Sequence, residues 1–200
     1  MENKVDWLRE AAKGFARLKN IRYDLLIAHA GKTLNLSIGF DNSQFHHIAG
    51  LHKLKDIDQL RLRRKRSTAM IFEEIMRGKI SLATIENSAF LTSKIIERIK
   101  LAGMLESIMD ADNLLFSFDA RYGQARFSAI PAQYVITDAD KSIALYVFLA
   151  ADGESGYITR SLFRDSKDYT EGQHRFTILS KDKVNIRTKE CERLFTYERK

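Results

Sequence analysis

The sequence predicts an α+β protein, because helical and strand-like periodicities fall in separate blocks of the chain. Apolar residues recur every three or four positions in residues 5–18 and over much of residues 56–111, as in amphipathic helices. Apolar and polar residues alternate in residues 21–40 and in short runs from residue 114 onward, as in strands. We therefore expect an N-terminal helix and β-hairpin, a central helical segment and a C-terminal, mostly antiparallel sheet.

Length and composition indicate one globular domain over residues 1–200, with 56–111 as a helical insertion or subdomain. A single proline and ten glycines argue against long linkers. The chain has no apolar run of about 18 residues, so no membrane association is expected. Residues 1–6 do not resemble a secretory signal, and the lone Cys191 excludes an internal disulfide. We expect a cytoplasmic protein.

Local signals place the elements. Residues 21–30 and 33–40 alternate around Gly31 and predict the hairpin. Residues 56–65 are polar and predicted helical, Ser67 and Ser81 are predicted to cap two further helices, and residues 90–109 predict one long helix. The predicted strands of the second half are residues 114–118, 127–130, 134–137, 143–149, 157–163 and 176–179, the last extending to 184–186. Turns are predicted at residues 119–124 and 138–142.

Residues 45–54 are the stretch richest in possible chemistry, since His46, His47 and His52 lie there beside Lys53. Imidazoles titrate near neutral pH and suit proton transfer, phosphate contact or metal binding. On a continuous helix His47 and His52 would diverge, and no neighbouring residue completes a metal site. We expect no metal and no other cofactor, with a three-histidine metalloenzyme as the least favoured alternative.

The positive charge of the chain favours polyanions. The net charge is +7, and residues 61–66 carry five cations: Arg61, Arg63, Arg64, Lys65 and Arg66. Such runs commonly contact phosphate, although a solvated helix surface is an equally good interpretation.

A second polar constellation covers residues 157–174. Alternation predicts that Tyr157, Thr159, Ser161 and Phe163 share one face of a strand while Arg160 lies on the other. The loop that follows gathers donors suited to phosphates or base edges, or it is simply a turn rich in turn formers. Its candidate side chains are Tyr169, Thr170, Gln173 and His174.

Several of these segments carry a resemblance. Residues 45–51, Phe-His-His-Ile-Ala-Gly-Leu, are similar to the Phe-x-His-Leu-x-Gly-Leu segment of the fourth phage-associated group in the Barnase–EndoU–colicin–RelE nuclease superfamily. Residues 78–80 resemble its helix-linking Gly-Lys-Ile. Residues 160–163 and 169–173 resemble its Ser-Phe-Phe strand and its Tyr-x-x-Gly-Gln turn. The similarity spans residues 8–186.

The resemblance implies a helical part leading into an antiparallel sheet, and metal-independent ribonuclease activity. Members of the superfamily include toxins and phage or mobile-element effectors, some of which act on tRNA. His47, Gly50, Ser161, Tyr169 and Gln173 match positions of the group's motifs. The chain departs from the pattern at Leu162, where an aromatic residue is expected, and at Arg160, where other residues are common.

The working hypothesis is a metal-independent endoribonuclease of phage or mobile-element origin, an effector or toxin that cleaves RNA, with tRNA as one candidate substrate. His47 and His52 are the acid–base candidates, Lys53 and Arg160 the charge stabilisers, and Ser161 a further site residue. The predicted substrate contacts are His46, Tyr169, Thr170, Gln173, His174, Arg61, Arg63, Arg64 and Arg66.

Expected partners are RNA and a protein inhibitor or antitoxin. The alternative is a non-catalytic basic protein that inhibits a host defence complex or binds nucleic acid through its cationic run.

Overall fold

A computed structural model describes residues 5–126, 128–138, 143–153 and 156–198. The helices are α1 (Trp7–Ala16), α2 (Phe45–Ile48), α3 (Thr68–Met76), α4 (Leu82–Glu86), α5 (Ser93–Gly103) and α6 (Leu105–Asp110). The strands are β1 (Ile21–His29), β2 (Lys32–Gly39), β3 (Leu114–Ser117), β4 (Tyr134–Thr137), β5 (Ala144–Asp152), β6 (Gly156–Asp165), β7 (Arg175–Asn185) and β8 (Cys191–Thr196). The predicted α+β class is confirmed.

The chain divides into two compact units. The first unit is formed by Met1–Lys19 and Asp41–Glu106, and the second by Asn20–Phe40 and Ser107–Lys200. Most of the helices belong to the first unit, and all strands of the described residues belong to the second. Each unit has its own buried apolar side chains.

The first unit is built on the close approach of α1 and α5. The Asp6 side chain caps α1 by accepting a hydrogen bond from the Arg9 backbone amide at 3.2 Å. Gly14 of α1 and Gly103 of α5 face each other, and a Cβ atom on either would come within 3 Å of the opposite helix backbone. Only glycine permits this contact, which closes the helical core.

Three phenylalanines fill the centre of the first unit. The rings of Phe15 and Phe45 lie 5.6 Å apart between centroids, and those of Phe45 and Phe72 lie 5.5 Å apart. All three are buried, and tilted or edge-on ring pairs of this kind add to the stabilisation from burial. Phe45 is the first residue of α2, so the histidine segment is anchored directly in the core.

The second unit is a sheet that closes on itself. The strand order is β1-β2-β6-β5-β4-β3-β7-β8, and β1 also pairs with β7. Within the described residues, seven strands therefore form a ring, and β8 is attached to β7 outside it. The pairs are antiparallel except β2 with β6, which confirms the mostly antiparallel prediction among the described strands.

A buried lysine links the ring to the end of α6. The Lys181 amino group is 3% exposed and donates to the Met109 carbonyl at 2.9 Å. It also donates to the Ala111 carbonyl, so it satisfies backbone carbonyls at the C-terminal end of that helix. Burial lowers the pKa of Lys181. Lys183 pairs with the Asp110 carboxylate at 2.9 Å on the same side.

Several local predictions are confirmed and others are wrong. The hairpin forms with Gly31 at its turn, and Ser67 caps α3 by accepting from the Met70 amide. Residues 56–65 are not a helix: they contain a single 3₁₀ turn (Asp58–Leu60), and Arg63 and Arg66 then exchange backbone hydrogen bonds across a tight turn. Like charges three and four residues apart repel on a helix, which disfavours the predicted conformation.

The long helix predicted at 90–109 is interrupted at Met104, which separates α5 from α6. Residues 128–130 are not a strand, while Phe127 lies outside the described residues. The predicted turn at 138–142 falls largely on 139–142, also outside them. Strand β8 was not predicted, because its charged residues obscure the apolar alternation.

Candidate functional site

The histidine segment reverses direction at Gly50. Helix α2 ends at Ala49, Gly50 has a left-handed φ of 76°, and a 3₁₀ turn (Leu51–Lys53) follows. The reversal brings the His52 ring onto the His47 ring, with centroids 4.3 Å apart and planes within 11° of parallel. The expectation that these two side chains diverge is therefore wrong, because it assumed one continuous helix.

His46 has a different role in the same segment. Its side chain is 3% exposed, and its Nε2 lies 2.9 Å from the Leu60 carbonyl oxygen. The ring nitrogen donates to that carbonyl, so it holds the segment around Leu60 against α2. Burial lowers the pKa of His46, which keeps the imidazole neutral at neutral pH.

Arg98 supports the histidine segment through hydrogen bonds to its backbone, and the sequence analysis did not identify this residue. It is 7% exposed and donates from Nε to the Ile48 carbonyl and from a terminal nitrogen to the His47 carbonyl, both at 3.0 Å. A Cβ atom on Gly50 would lie 3.3 Å from the Arg98 Nε. Desolvation lowers the pKa of Arg98 to about 10, and the group remains a cation at neutral pH.

A sequence signal for Arg98 did exist. On α5 it falls between Ile95 and Ile99, both buried, and so lies on the apolar stripe of the helix. An arginine on such a stripe needs buried acceptors, which here are the last carbonyls of α2.

The surroundings of His52 disfavour its protonated form. Desolvation, followed by the charges of His47, Arg98, His46 and Lys53, lowers the pKa of His52 to about 4. The pKa of Lys53 is also lowered, first by desolvation and then by the neighbouring cations. His52 is therefore neutral at neutral pH and has a free lone pair available on its ring.

A pocket of about 500 Å³ opens beside the imidazoles. Its lining combines ring nitrogens, cations and leucines, namely His46, His52, Leu54, Lys55, Leu60, Arg61 and Leu62. Arg61 is held at its edge by donating from Nε to the Lys55 carbonyl at 2.7 Å and by an ion pair with Asp58 at 3.3 Å. The arrangement suits an anionic group bound next to an uncharged imidazole.

The cationic run is partly neutralised. Arg63 pairs with Asp58 at 3.2 Å, and Arg66 pairs with Glu74. Arg64 and Lys65 lie exposed at the tip of the turn and form no ion pair with any residue that the structure describes. Positive charge remains available at this tip.

In the second unit, a β-bulge changes the faces predicted for β6. Thr159 pairs with Leu149 and Ser161 pairs with Phe148, so Arg160 is the extra residue. Because Phe148 and Leu149 point to opposite faces of β5, so do Ser161 and Thr159. The predicted shared face is wrong. Arg160 is exposed, whereas Ser161 is 7% exposed.

The polar loop between β6 and β7 makes many contacts with itself and its surroundings. Tyr169 is 9% exposed, packs on the Tyr146 and Phe148 rings, and donates to Asp165 at 3.2 Å. Desolvation, and then Asp165, raise its pKa to about 12. This phenol is therefore uncharged at neutral pH.

Gln173 and Thr170 are also used within the loop. The Gln173 amide donates to the Asp119 carbonyl at 2.8 Å and accepts from the Asp119 amide at 2.9 Å. Thr170 donates its hydroxyl hydrogen to Asp168 at 2.7 Å. These contacts fix the loop that leads to the exposed His174.

A second imidazole pair was not anticipated. His29, at the end of β1, lies with its ring 5.3 Å from the ring of His174. The His29 Nδ1 is 3.2 Å from the Arg175 carbonyl oxygen. His29 stands alone in its sequence neighbourhood, and only the pairing of β1 with β7 brings the two rings together.

In the described part of the chain, no group of three or more His, Cys, Asp or Glu side chains is placed to hold a metal ion. None of the described helices combines the length and apolarity needed to cross a membrane.

Comparison with known protein families identifies the family of the chain. No curated protein and no solved structure matches the chain. A family model described as phage-Barnase-EndoU-ColicinE5/D-RelE like nuclease 4 matches residues 7–198. This match covers nearly the whole chain, including both imidazole pairs and the closed sheet. The chain therefore belongs to this family of phage-associated nucleases in the Barnase–EndoU–colicin–RelE superfamily.

Proposed function

We propose that the protein is a metal-independent endoribonuclease in which His47 and His52 act as the acid–base pair. The observation that carries the proposal is the stacking of the two imidazoles at 4.3 Å beside a cationic pocket. Two positive charges at this separation repel, so protonation of both rings at once is disfavoured. A base and an acid are what RNA cleavage by its own 2′-hydroxyl requires.

The proposed reaction is a transesterification. The 2′-oxygen bonds to phosphorus while the bond to the 5′-oxygen breaks, which leaves a 2′,3′-cyclic phosphate and a 5′-hydroxyl. His52, with its pKa of about 4, is neutral and accepts the 2′-hydroxyl proton. His47 donates a proton to the departing 5′-oxygen. Lys53 and Arg61 supply positive charge for the phosphorane.

Residues of the second unit are proposed to contact RNA. Arg160 offers an exposed guanidinium, which suits a phosphate, and His174 an exposed imidazole. We keep Ser161, Tyr169, Thr170 and Gln173 as proposed site residues, with the contacts described above limiting the movement available to them. The family and the net charge of +7 support nucleic acid as the substrate class.

The test is cleavage of a tRNA mixture and of unstructured RNA by the purified protein in excess EDTA. We expect cleavage by the wild-type protein, products ending in 2′,3′-cyclic phosphate, and rates lowered about 100-fold or more by His47→Ala or His52→Ala. The same RNA with 2′-O-methyl groups is the matched control and should stay intact. Loss of activity in EDTA, or cleavage of the 2′-O-methyl RNA, would contradict the proposal.

The alternative is a non-catalytic binding protein, and the exposed Arg64 and Lys65 favour it. It predicts salt-sensitive RNA binding that Arg64→Glu with Lys65→Glu abolishes and that His47→Ala leaves unchanged. Neither cation forms an ion pair with a described residue, so this double substitution leaves the described ion pairs of the fold intact.

An effector or toxin role, opposed by a protein inhibitor, is the proposed biological setting. It predicts that induced expression in a bacterial host arrests growth, and that His47→Ala removes the arrest. Growth arrest of equal strength by His47→Ala would separate toxicity from RNA cleavage.

A further inference from the structure

Five ring side chains of the second unit form a continuous set, which we name the mouth cluster: His29, Tyr134, Tyr157, His174 and Phe176. The His29 ring lies 5.3 Å from both the His174 and the Phe176 rings. Tyr134 lies 5.6 Å from Phe176 and 5.2 Å from Tyr157. The set thus connects β1, β4, β6 and β7 at one end of the ring of strands.

The register of the sheet explains why these residues meet. His29 lies two residues beyond the buried Ile27, and Tyr134 lies two residues before the buried Ile136. Side chains two apart on a strand share a face. Val135, between them on the other face, packs instead with the aromatic cluster around Phe148. The mouth cluster is therefore the last layer on the face that buries Ile27 and Ile136.

This last layer is only partly covered. His29 and His174 are exposed, and Tyr134, Tyr157 and Phe176 are half-buried. The aromatic pairs are edge-on, with interplanar angles of 62° and 82°, so the rings present faces as well as edges. Partly exposed aromatic faces beside imidazoles are suited to stacking with flat, polar ligands.

Cations and imidazoles of the layer can meet an anionic ligand. Lys32 is exposed and pairs with His29 across the hairpin turn, and Arg175 is exposed and lies between His174 and Phe176 in the chain. Among the described residues, Asp152 lies at the end of β5, next to the start of β6, and Asp112 lines a cavity with Arg175 and Phe176. The His29 Nδ1 donates to the Arg175 carbonyl at 3.2 Å, which leaves Nε2 as the ring nitrogen available to a ligand.

We propose that the mouth cluster is a binding site for unpaired nucleobases of a single-stranded nucleic acid. Tyr134, Tyr157 and Phe176 stack with the bases, and His29, His174 and Lys32 contact the adjoining phosphates. Base stacking on aromatic rings is tolerant of sequence and requires the base to be out of a duplex. The site thus selects single-stranded regions, and it rests on the proposed function only for the choice of RNA over DNA.

Binding of a 2′-O-methyl oligouridine 12-mer, which the proposed chemistry cannot cleave, tests the site by fluorescence anisotropy. We expect the wild type to prefer it at least 10-fold over the matching duplex. Tyr157→Ala should weaken binding about 10-fold, and Tyr157→Phe, which keeps the ring, should bind as wild type. Tyr122→Ala is the matched control, since Tyr122 is an exposed tyrosine of the same unit outside the cluster.

Equal affinity for single strand and duplex, or unchanged binding by Tyr157→Ala, overturns the proposal. Equal loss in Tyr157→Phe and Tyr157→Ala overturns the stacking role. Should Tyr157→Ala lose its thermal unfolding transition, His174→Ala at an exposed position replaces it, with a several-fold loss expected and no change overturning the site.

The outcome is separable from that of the proposed function. The uncleavable strand reports binding without turnover, so loss of binding in Tyr157→Ala and loss of cleavage in His47→Ala are measured in separate assays. If no RNA is cleaved but the single strand is bound through Tyr157, the endoribonuclease proposal fails and the binding site stands.

Discussion

The two imidazole pairs of this protein differ in almost every physical respect. The His47 and His52 rings are stacked at 4.3 Å and 11°, on a chain reversal above the buried Arg98. The His29 and His174 rings are 5.3 Å apart and inclined by 48°, at strand ends beside aromatic rings. In the first pair, desolvation and then the neighbouring charges disfavour protonation of His52. In the second pair, the His29 Nδ1 donates to the Arg175 carbonyl, and the His29 ring packs against the Phe176 ring.

The difference teaches that residue type alone does not assign a role. Desolvation and neighbouring positive charge lower the pKa of His52, and a neutral imidazole can act as a general base. Exposed rings at the rim of a sheet are better placed to contact a ligand than to control a proton. We therefore propose acid–base chemistry for the first pair and ligand binding for the second.

Kinetics of the four histidine variants give the largest expected effect. His47→Ala and His52→Ala should lower kcat about 100-fold or more, because a general acid or base is lost. His29→Ala and His174→Ala should raise KM about 10-fold and leave kcat within about twofold, because they remove ligand contacts. Single-turnover and steady-state cleavage of one RNA substrate measure both constants. The reverse pattern would assign the chemistry to the second pair.

The pH dependence of stability should carry the signature of His52. Its pKa in the folded protein, about 4, is below its unfolded value near 6.5, so the folded state binds fewer protons between these pH values. The free energy of unfolding should therefore fall as the pH drops from 6.5 toward 4. His52→Gln should reduce that fall, with His46 accounting for part of the remainder. Urea unfolding from pH 7 to pH 4.5 measures it, and an unchanged slope would contradict the environment described for His52.

Removal of Arg98 should destabilise the support of the first pair. Arg98→Met leaves the His47 and Ile48 carbonyls without their donor, at an expected cost of about 2–3 kcal/mol in unfolding free energy. Arg77→Met is the control: Arg77 is the C-cap of α3, and its ion pair with Glu73 is exposed and should be worth under about 0.5 kcal/mol. Equal losses in urea unfolding would show that Arg98 does not act through the two carbonyls.

Gly50 and Gly31 provide a smaller, matched comparison. Both have a φ of 76°, and a Cβ on Gly31 meets nothing within 4 Å, whereas on Gly50 it lies 3.3 Å from Arg98. Gly31→Ala should cost about 1 kcal/mol for the left-handed backbone, and Gly50→Ala somewhat more. The difference between the two losses of unfolding free energy measures the contact between the new Cβ atom and Arg98. It should disappear when Gly50→Ala is measured in the Arg98→Met background.

Local signals predicted much of the fold. The hairpin around Gly31 and the cap at Ser67 depend on a few adjacent residues, so short segments of sequence are enough to predict them. The family motifs likewise predicted the fold class that the structure has. The helix predicted for the cationic residues is wrong. Residues 61–66 form a turn, because a helix would bring their like charges together.

The candidate sites depend on long-range geometry that no short motif contains. The convergence of His47 and His52 needs a left-handed residue at Gly50, and the role of Arg98 needs α5 packed under α2. The bulge at Arg160 reverses the faces that strict alternation predicts. His29 and His174 meet only because β1 and β7 pair.

That last pairing has a consequence for the timing of synthesis. Residues 21–28 find their partners in residues 177–185, so a ribosome has to release almost the entire polypeptide before the ring can close. Until then β1 can pair only with β2, and the rings of His29 and Phe176 are not in contact. A nascent chain therefore lacks the mouth cluster, and its proposed contacts with nucleic acid can form only once synthesis is almost complete.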